Sequence, residues 1–230
     1  MSQALAAAGD DAMPEPVTIV GVGLGFVALT SHLARRYFET AKEVADIVIG
    51  FVALVLCFPV LAVCAAIIRL SSDGPVFYRQ KRVGKNGKLF MMYKFRTMYT
   101  GAELGTGAVW AARGDSRVVP VCRWMRRSHV DELPQIINVI KGEMSLVGPR
   151  PERPEILSEL EKTYPDVRKR LAVRPGITGL AQVRNGYDTT VEAFRAKLEA
   201  DLEYIERRNW SMEFRIMAAT VGKLHDRTAH

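Results

Sequence analysis

The sequence predicts an α+β protein: a small, mostly helical domain with a β-hairpin, attached to a re-entrant membrane helix broken at a proline. Three observations lead there. A charge-free apolar run, Ile47 to Ile68, contains Pro59 and is flanked by basic residues at both ends. Two strand-like stretches flank Asn86-Gly87, the residue pair that a type I′ hairpin turn favours. Apolar residues then recur at Leu133, Ile136, Ile137 and Ile140, which is one face of a helix.

The 230 residues suffice for one domain plus an attachment segment, and a hydrophobic share of 48% fills a core with some left for lipid. A net charge of +7 suits a polyanionic partner, whether nucleic acid, anionic lipid or a phosphate-rich substrate, and equally a plain solvated surface. Three cysteines, Cys57, Cys64 and Cys122, give no disulfide framework and place the working residues in a reducing cytosol. There is no P-loop, no HExxH and no cysteine metal pattern, and His32, His129, His225 and His230 lack ligand spacing.

Residues 1–16 are small, acidic and proline-containing, as in a mobile tail. Residues 17–42 form an apolar segment and a basic linker. The apolar part fits a short span with Arg35-Arg36 inside, a surface helix, or a signal-like segment. Its Gly21, Gly23 and Gly25 imitate a dinucleotide turn, but the third glycine falls one residue early and the acidic residue further on is Asp46, at the mouth of the lipid run.

Residues 43–70 are the membrane helix. As a straight helix, Ile47 to Ile68 reaches about 33 Å, close to the hydrocarbon thickness. Arg35, Arg36 and Lys42 precede it, and Arg69, Arg79, Lys81, Arg82 and Lys85 follow. A single span leaves only one basic end in the cytoplasm. A helix kinked at Pro59 that enters and leaves on one face satisfies both ends, with Asp46 at headgroup level.

Residues 71–222 form the cytosolic domain, and 223–230 a tail. Pro75 to Val83 and Lys88 to Arg96 read as the two hairpin strands. Lys94 and Arg96, at i and i+2, lie on one strand face and can grip a diphosphate or serve as a solvated edge. Arg126 and Arg127 lead into Asp131-Glu132-Leu133-Pro134-Gln135, with Pro134 in a first helical turn and Lys141-Gly142 at the helix end. Asp131 is thus at or beside the N-cap. It either caps the helix or is a nucleophile kept ionised by cations and amides, beside a Glu132 that holds a divalent metal. Pro149-Arg150-Pro151 and Arg174-Pro175-Gly176 are rigid turns that aim an arginine. Thr189 and Glu192 form a capping box before a core helix with Val191, Phe194, Leu198, Leu202 and Ile205 on one face. Trp210, Phe214, Ile216 and Met217 are placed at the membrane interface.

Taken together, Arg79-Gln80-x-Arg82-Val83-Gly84, Lys94-Phe95-Arg96-Thr97-Met98, Asp131-Glu132-Leu133-Pro134-Gln135, the run from Gly142 to Pro151, and Arg174-Pro175-Gly176-Ile177-Thr178-Gly179 resemble the monotopic phosphoglycosyl transferases, or bacterial sugar transferases. The strings follow the family's order and cover roughly residues 40 to 222. The resemblance implies transfer of a hexose 1-phosphate from a nucleotide sugar to polyprenyl phosphate, with release of UMP. It assigns Asp131 as the covalent nucleophile, Glu132 as its Mg²⁺-assisting neighbour, and Arg96, Arg126 and Arg150 as matches to the family's cations; with Arg79, Lys94 and Arg174 these make six phosphate-binding candidates. It implies a bacterial inner-membrane protein facing the cytoplasm, first in exopolysaccharide or glycoconjugate assembly; a homodimer is allowed and nucleic acid is not expected as a partner. Phe58-Pro59 stands where the family usually has Ser-Pro, His129-Val130 where Ser-Leu is frequent, and Glu143 where Asp is usual. Arg184-Asn185-Gly186 replaces a frequent Asn-Gly-Arg, which leaves the sugar open. Two other readings compete: a basic membrane-associated binding protein in which Asp131 only caps a helix, and a nicotinamide-dependent oxidoreductase using Gly21 to Gly25.

Overall fold

The computed structural model describes residues 17–102, 115–185 and 194–224; the 1–16 tail, Val191 and the Thr189–Glu192 box lie outside them. The chain divides into two units, Met1–Ala41 and Lys42–His230. In order, the elements are α1 (Val17–Ser71), β1 (Phe77–Val83), β2 (Leu89–Phe95), α2 (Arg123–Arg127), a 3-10 turn (Val130–Gln135), α3 (Ile136–Ile140), β3 (Ser145–Val147), α4 (Pro154–Thr163), a second 3-10 segment (Pro165–Ala172), β4 (Gly176–Thr178), α5 (Leu180–Asn185), α6 (Phe194–Arg207) and α7 (Trp210–Leu224). Among the described residues the protein is mostly helical with two small sheets; the sequence predicts the helices and the hairpin but not the parallel β3–β4 pair.

Gly21 to Gly25 lie inside α1, so no strand-and-turn dinucleotide site forms there, and the oxidoreductase reading fails with it. Within α1, Leu33–Ser71 is long and apolar enough to cross a membrane by length and composition. The helix continues through Pro59, where one amide donor is missing. In the second unit Lys42, Asp46 and Gly50 form a buried stripe at i+4 spacing, and Cys64 and Ile68 another. Cys64 and Ile68 pack with Phe95, Val119, Cys122 and Met125. Phe51, Val55, Phe58 and Val63 face outward.

Asp46, expected at headgroup level, is buried instead. Lys42 Nζ donates to Asp46 Oδ2 at 3.1 Å and Ser145 Oγ at 2.9 Å, and pairs with Glu213 at 2.9 Å. Ser145 Oγ meets Asp46 Oδ2 at 2.6 Å, and Tyr204 Oη donates to Glu213 Oε1 at 2.6 Å. Five polar groups from α1, β3, α6 and α7 thereby satisfy one another out of water.

The hairpin forms as read, with Phe77 opposite Phe95 and Val83 opposite Leu89. Asn86 (φ 56°) and Gly87 (φ 78°) supply the two positive φ angles of a type I′ turn, closed by the Lys88 amide on the Lys85 carbonyl at 3.2 Å. Phe90 and Met92 of β2 pack on Val139 and Met144, which seats the hairpin on α3. Val83 joins Leu157, Leu160, Val167, Phe194 and Leu198, so α6 is the core helix the pattern predicts. A second core gathers Val147, Val173, Leu180, Tyr204 and Ile216. Ile216 is therefore interior and Met217 packs against the same core, whereas Trp210 and Phe214 are exposed; only the latter two keep the expected surface position.

β3 pairs in parallel with β4, Ser145 beside Gly176 and Val147 beside Thr178. Gly148, Gly176 and Gly179 let the two chains touch backbone to backbone: a Cβ on Gly176 would overlap Gly148. Gly176→Ala is accordingly expected to cost about 2 kcal/mol or more in chemical denaturation, as overpacking does. Gly222→Ala, in open space on α7, is expected to stabilise slightly, since alanine is the better helix former.

Candidate active site

Three elements meet at the acid pair. α2 ends at Arg127, and His129 takes a left-handed conformation (φ 55°) that turns the chain into the Val130–Gln135 3-10 turn. Asp131 and Glu132 sit in that turn, which packs against β2. The N-cap position is His129, and no side chain makes a capping bond there. Asp131 therefore does not cap, because the N-cap falls two residues earlier and the turn tightens to 3-10 before α3 starts at Ile136. The binding-protein reading, which needed Asp131 only as a cap, loses its structural reason. Pro134, Gln135, Ile136, Asn138 and Val139 face the interior, whereas Leu133, Ile137 and Ile140 are only partly covered.

The two carboxylates are treated differently. Glu132 Oε1 accepts from Lys94 Nζ at 2.7 Å and from Arg150 Nη2 at 2.5 Å, and Glu132 Oε2 accepts from Arg150 Nη1 at 3.0 Å. Burial alone would raise its pKa, but Arg150 and Lys94 outweigh that and hold it well below the usual range. Burial in turn lowers the Lys94 ammonium, a loss that Glu132 partly offsets. Asp131 is 7% exposed, and no hydrogen bond or ion pair falls on it among the described residues. Burial, then the charge of Glu132, push it up to about 6, against the pull of Lys94, Arg126 and Arg150. Near neutral pH Asp131 is thus ionised yet uncommitted, and Glu132 is ionised and tied down.

Of the six phosphate-binding candidates, the structure gathers Lys94, Arg126 and Arg150 around the pair. Arg126 has one long bond, 3.4 Å to Thr97 Oγ1. Arg96 lies just past the end of β2 and turns back, donating to the Ser72 carbonyl at 2.8 Å, the Asp73 carbonyl, and Thr100 Oγ1 at 3.0 Å. It thereby ties the exit of α1 to the hairpin. Arg79 lies over the Tyr93 ring at 5.6 Å. Arg174 pairs with Glu43 of α1. The i, i+2 spacing placed Lys94 and Arg96 together, and it failed because the strand ends between them. Sequence reasoning missed Glu43, which has no motif of its own, and any contact of Thr97, whose only signal was a place in the Lys94-to-Met98 string. It also missed Arg82, whose Nη1 holds the Pro151 carbonyl at 2.8 Å; its only signal was a place in the Arg79-to-Gly84 string.

Among the described residues no cluster of three His, Cys, Asp or Glu is built for a metal. Two adjacent carboxylates nonetheless match what a protein ordinarily gives Mg²⁺, with phosphate oxygens and water supplying the rest. Asp131 has oxygens to offer, whereas a metal on Glu132 must share it with Lys94 and Arg150.

The model of the family described as "Bacterial sugar transferase" matches residues 37–227. A UDP-glucose:undecaprenyl-phosphate glucose-1-phosphate transferase of Xanthomonas campestris pv. campestris is 38% identical over 85% of this chain and 41% of its own length. A UDP-N-acetylgalactosamine-undecaprenyl-phosphate N-acetylgalactosaminephosphotransferase of Aeromonas hydrophila is 39% identical over 84% of this chain and 45% of its own. The chain spans less than half the length of these two relatives. A UDP-glucose:undecaprenyl-phosphate glucose-1-phosphate transferase of Caulobacter vibrioides is 40% identical over 84% of this chain and 72% of its own.

An unpaired buried carboxylate carries a stability signature. The folded chain holds the Asp131 proton more tightly than the unfolded chain, whose carboxyl titrates near 3.8. Ionisation therefore costs stability above pH of about 6 and nothing below about 4. Asp131→Asn stays neutral throughout. It is expected to be more stable than the parent at about pH 8, by at most about 3 kcal/mol for a two-unit shift, with the gap closing toward pH 4. Equal denaturation midpoints at both pH values would show that a neighbour compensates the charge.

Proposed function

The chain belongs to the bacterial sugar transferase family, and from that premise we propose that it moves a sugar 1-phosphate from a UDP-sugar to undecaprenyl phosphate. Its relatives' names supply the substrate class. The observation that carries the chemistry is the unlike treatment of adjacent carboxylates: Glu132 committed to two cations, Asp131 buried and uncommitted.

In the first step an Asp131 oxygen attacks the phosphorus that bears the sugar. The bond from that phosphorus to the bridging oxygen breaks, UMP leaves with the electron pair, and an aspartyl phosphosugar remains. In the second step an oxygen of the lipid phosphate attacks the same phosphorus, the bond to Asp131 breaks, and the lipid diphosphosugar departs. Both steps crowd negative charge beside Asp131. Lys94, Arg126 and Arg150 offset it and align the diphosphate, the main task in phosphoryl transfer. Asp131 and Glu132 would hold a Mg²⁺ ion, which neutralises diphosphate oxygens when bound.

The membrane reading also gains support. Lys42 and Asp46 meet Ser145 and Glu213, while Cys64 and Ile68 meet Phe95, Cys122 and Met125, so both ends of one apolar stretch return to the same body. A helix that enters and leaves by the cytoplasmic leaflet, bent at Pro59, accommodates this and the basic flanks. A straight span does not, because it carries Lys42 away from Ser145 by the thickness of the bilayer. The apolar residues Phe51, Val55 and Phe58 then face acyl chains.

Two measurements test these readings. Membranes holding the full chain, given undecaprenyl phosphate and a panel including UDP-glucose and UDP-N-acetylgalactosamine, are expected to release UMP with Mg²⁺ and not with EDTA. Asp131→Asn is expected to lose at least about a thousandfold in turnover, as removal of a nucleophile does; near-parent turnover in that variant excludes the covalent step. For topology, Thr40→Cys and Asp73→Cys, each in a chain lacking Cys57, Cys64 and Cys122, are both expected to react with an impermeant maleimide only from the cytoplasmic side. Labelling of position 40 from outside alone would establish a spanning helix.

A further inference from the structure

We propose that Arg170, oriented by Asp201, is a positioning residue for Arg150 and, through it, for the acid pair. The inference rests on the transfer reaction above. It begins with the backbone from Pro149 to Glu152. Four successive carbonyls there are each taken by a different donor. The Gly176 amide meets Pro149 O at 3.0 Å, Arg170 Nη2 meets Arg150 O at 2.9 Å, Arg82 Nη1 meets Pro151 O at 2.8 Å, and the Val83 amide meets Glu152 O at 3.0 Å. Pro149 and Pro151 fix their own φ angles. The peptide that carries Arg150 is thus held from both sides, and the side chain it bears meets Glu132 with two nitrogens.

Arg170 is 4% exposed, and Asp201 of α6 is 1% exposed. Arg170 Nε donates to Asp201 Oδ2 at 2.7 Å. A guanidinium presents its donors in a rigid fork, so fixing Nε fixes where Nη2 points, and here it points at the Arg150 carbonyl. The Phe194 ring lies 5.3 Å below the guanidinium, and Glu152 approaches at 3.8 Å from a site shared with Lys197. Burying an ion pair this deeply stabilises a fold little compared with apolar packing. What it provides is direction. Aim matters here because a two-nitrogen contact tolerates little displacement, and Glu132 in turn sets the place of Lys94.

The test is a double-mutant cycle in the full chain, read by UMP release from whichever UDP-sugar the parent uses. Arg170→Lys keeps the charge facing Asp201 and loses the fork. In the parent it is expected to lower kcat about 10- to 100-fold, as small displacements at a reacting centre do, with KM for the UDP-sugar nearly unchanged. In an Arg150→Ala background, assayed at raised enzyme concentration, the same change is expected to cost no more than about twofold, because the residue it acts through is gone. Asp201→Asn, which leaves Arg170 intact, is expected to follow the same pattern and carries the cycle if Arg170→Lys does not fold. An unchanged kcat in the parent, or the same loss in both backgrounds, overturns the positioning role. A parent that releases no UMP from any sugar overturns the transfer reading instead.

Discussion

A carboxylate removed from water needs fixed cations, and Glu132 takes its two from distant parts of the chain. Lys94 arrives near the C-terminal end of β2 and Arg150 on the loop after β3. For both to reach the same carboxylate, β2 must pack on the 3-10 turn, β3 must follow α3 closely, and the Pro149–Glu152 backbone must hold still. Phe90 and Met92 against Val139 and Met144 meet the first two conditions. The cluster also explains why the neighbouring acid is left alone. With Lys94 and Arg150 spent on Glu132, Asp131 keeps only their field, and burial lifts its pKa while leaving it ionised near neutrality. Two residues adjacent in sequence are thus treated in opposite ways: Glu132 is tied to two cations and Asp131 is buried without a partner among the described residues.

The attachment of α1 follows similar logic on a second buried network. Lys42 faces two carboxylates, Asp46 and Glu213, together with Ser145. Burial raises the pKa of Glu213 against the pull of Lys42, and burial with the adjacent Glu213 raises that of Tyr204. The network joins the helix to β3, whose C-terminal end leads directly to Arg150. The apolar helix and the candidate site therefore share a strand three residues long.

Much of this was legible in the residues. The hairpin, its turn at Asn86-Gly87 and the interior face of α6 all came from local signals: alternation, positive-φ residues and helical spacing. The failures share one cause, which is tertiary context. Asp131 reads as a cap by composition, but a left-handed His129 starts the turn early. Lys94 and Arg96 read as partners, but the strand ends between them. Asp46 reads as a headgroup-level charge, but Ser145 and Lys42, one of them far along the chain, enclose it. Arg174 reads as an arginine aimed by its own turn, and Glu43, far back in α1, is the partner it meets. For Asp46 and Arg174 a decisive partner, Ser145 or Glu43, lies 99 or 131 residues away in sequence.

The contact of Gly148 with Gly176 and Gly179 bears on how such proteins diversify. The loop that carries Arg150 and the turn that carries Arg174 touch without intervening side chains, so neither has slack to absorb a change in the other. A chimera that grafts one of them from a relative inherits a shape made for a different companion. The two segments, though separated in sequence by α4 and the Pro165–Ala172 segment, form a single exchangeable cassette. Recombination between relatives will keep this contact intact where its crossover points lie outside both, before Ser145 and after Gly179.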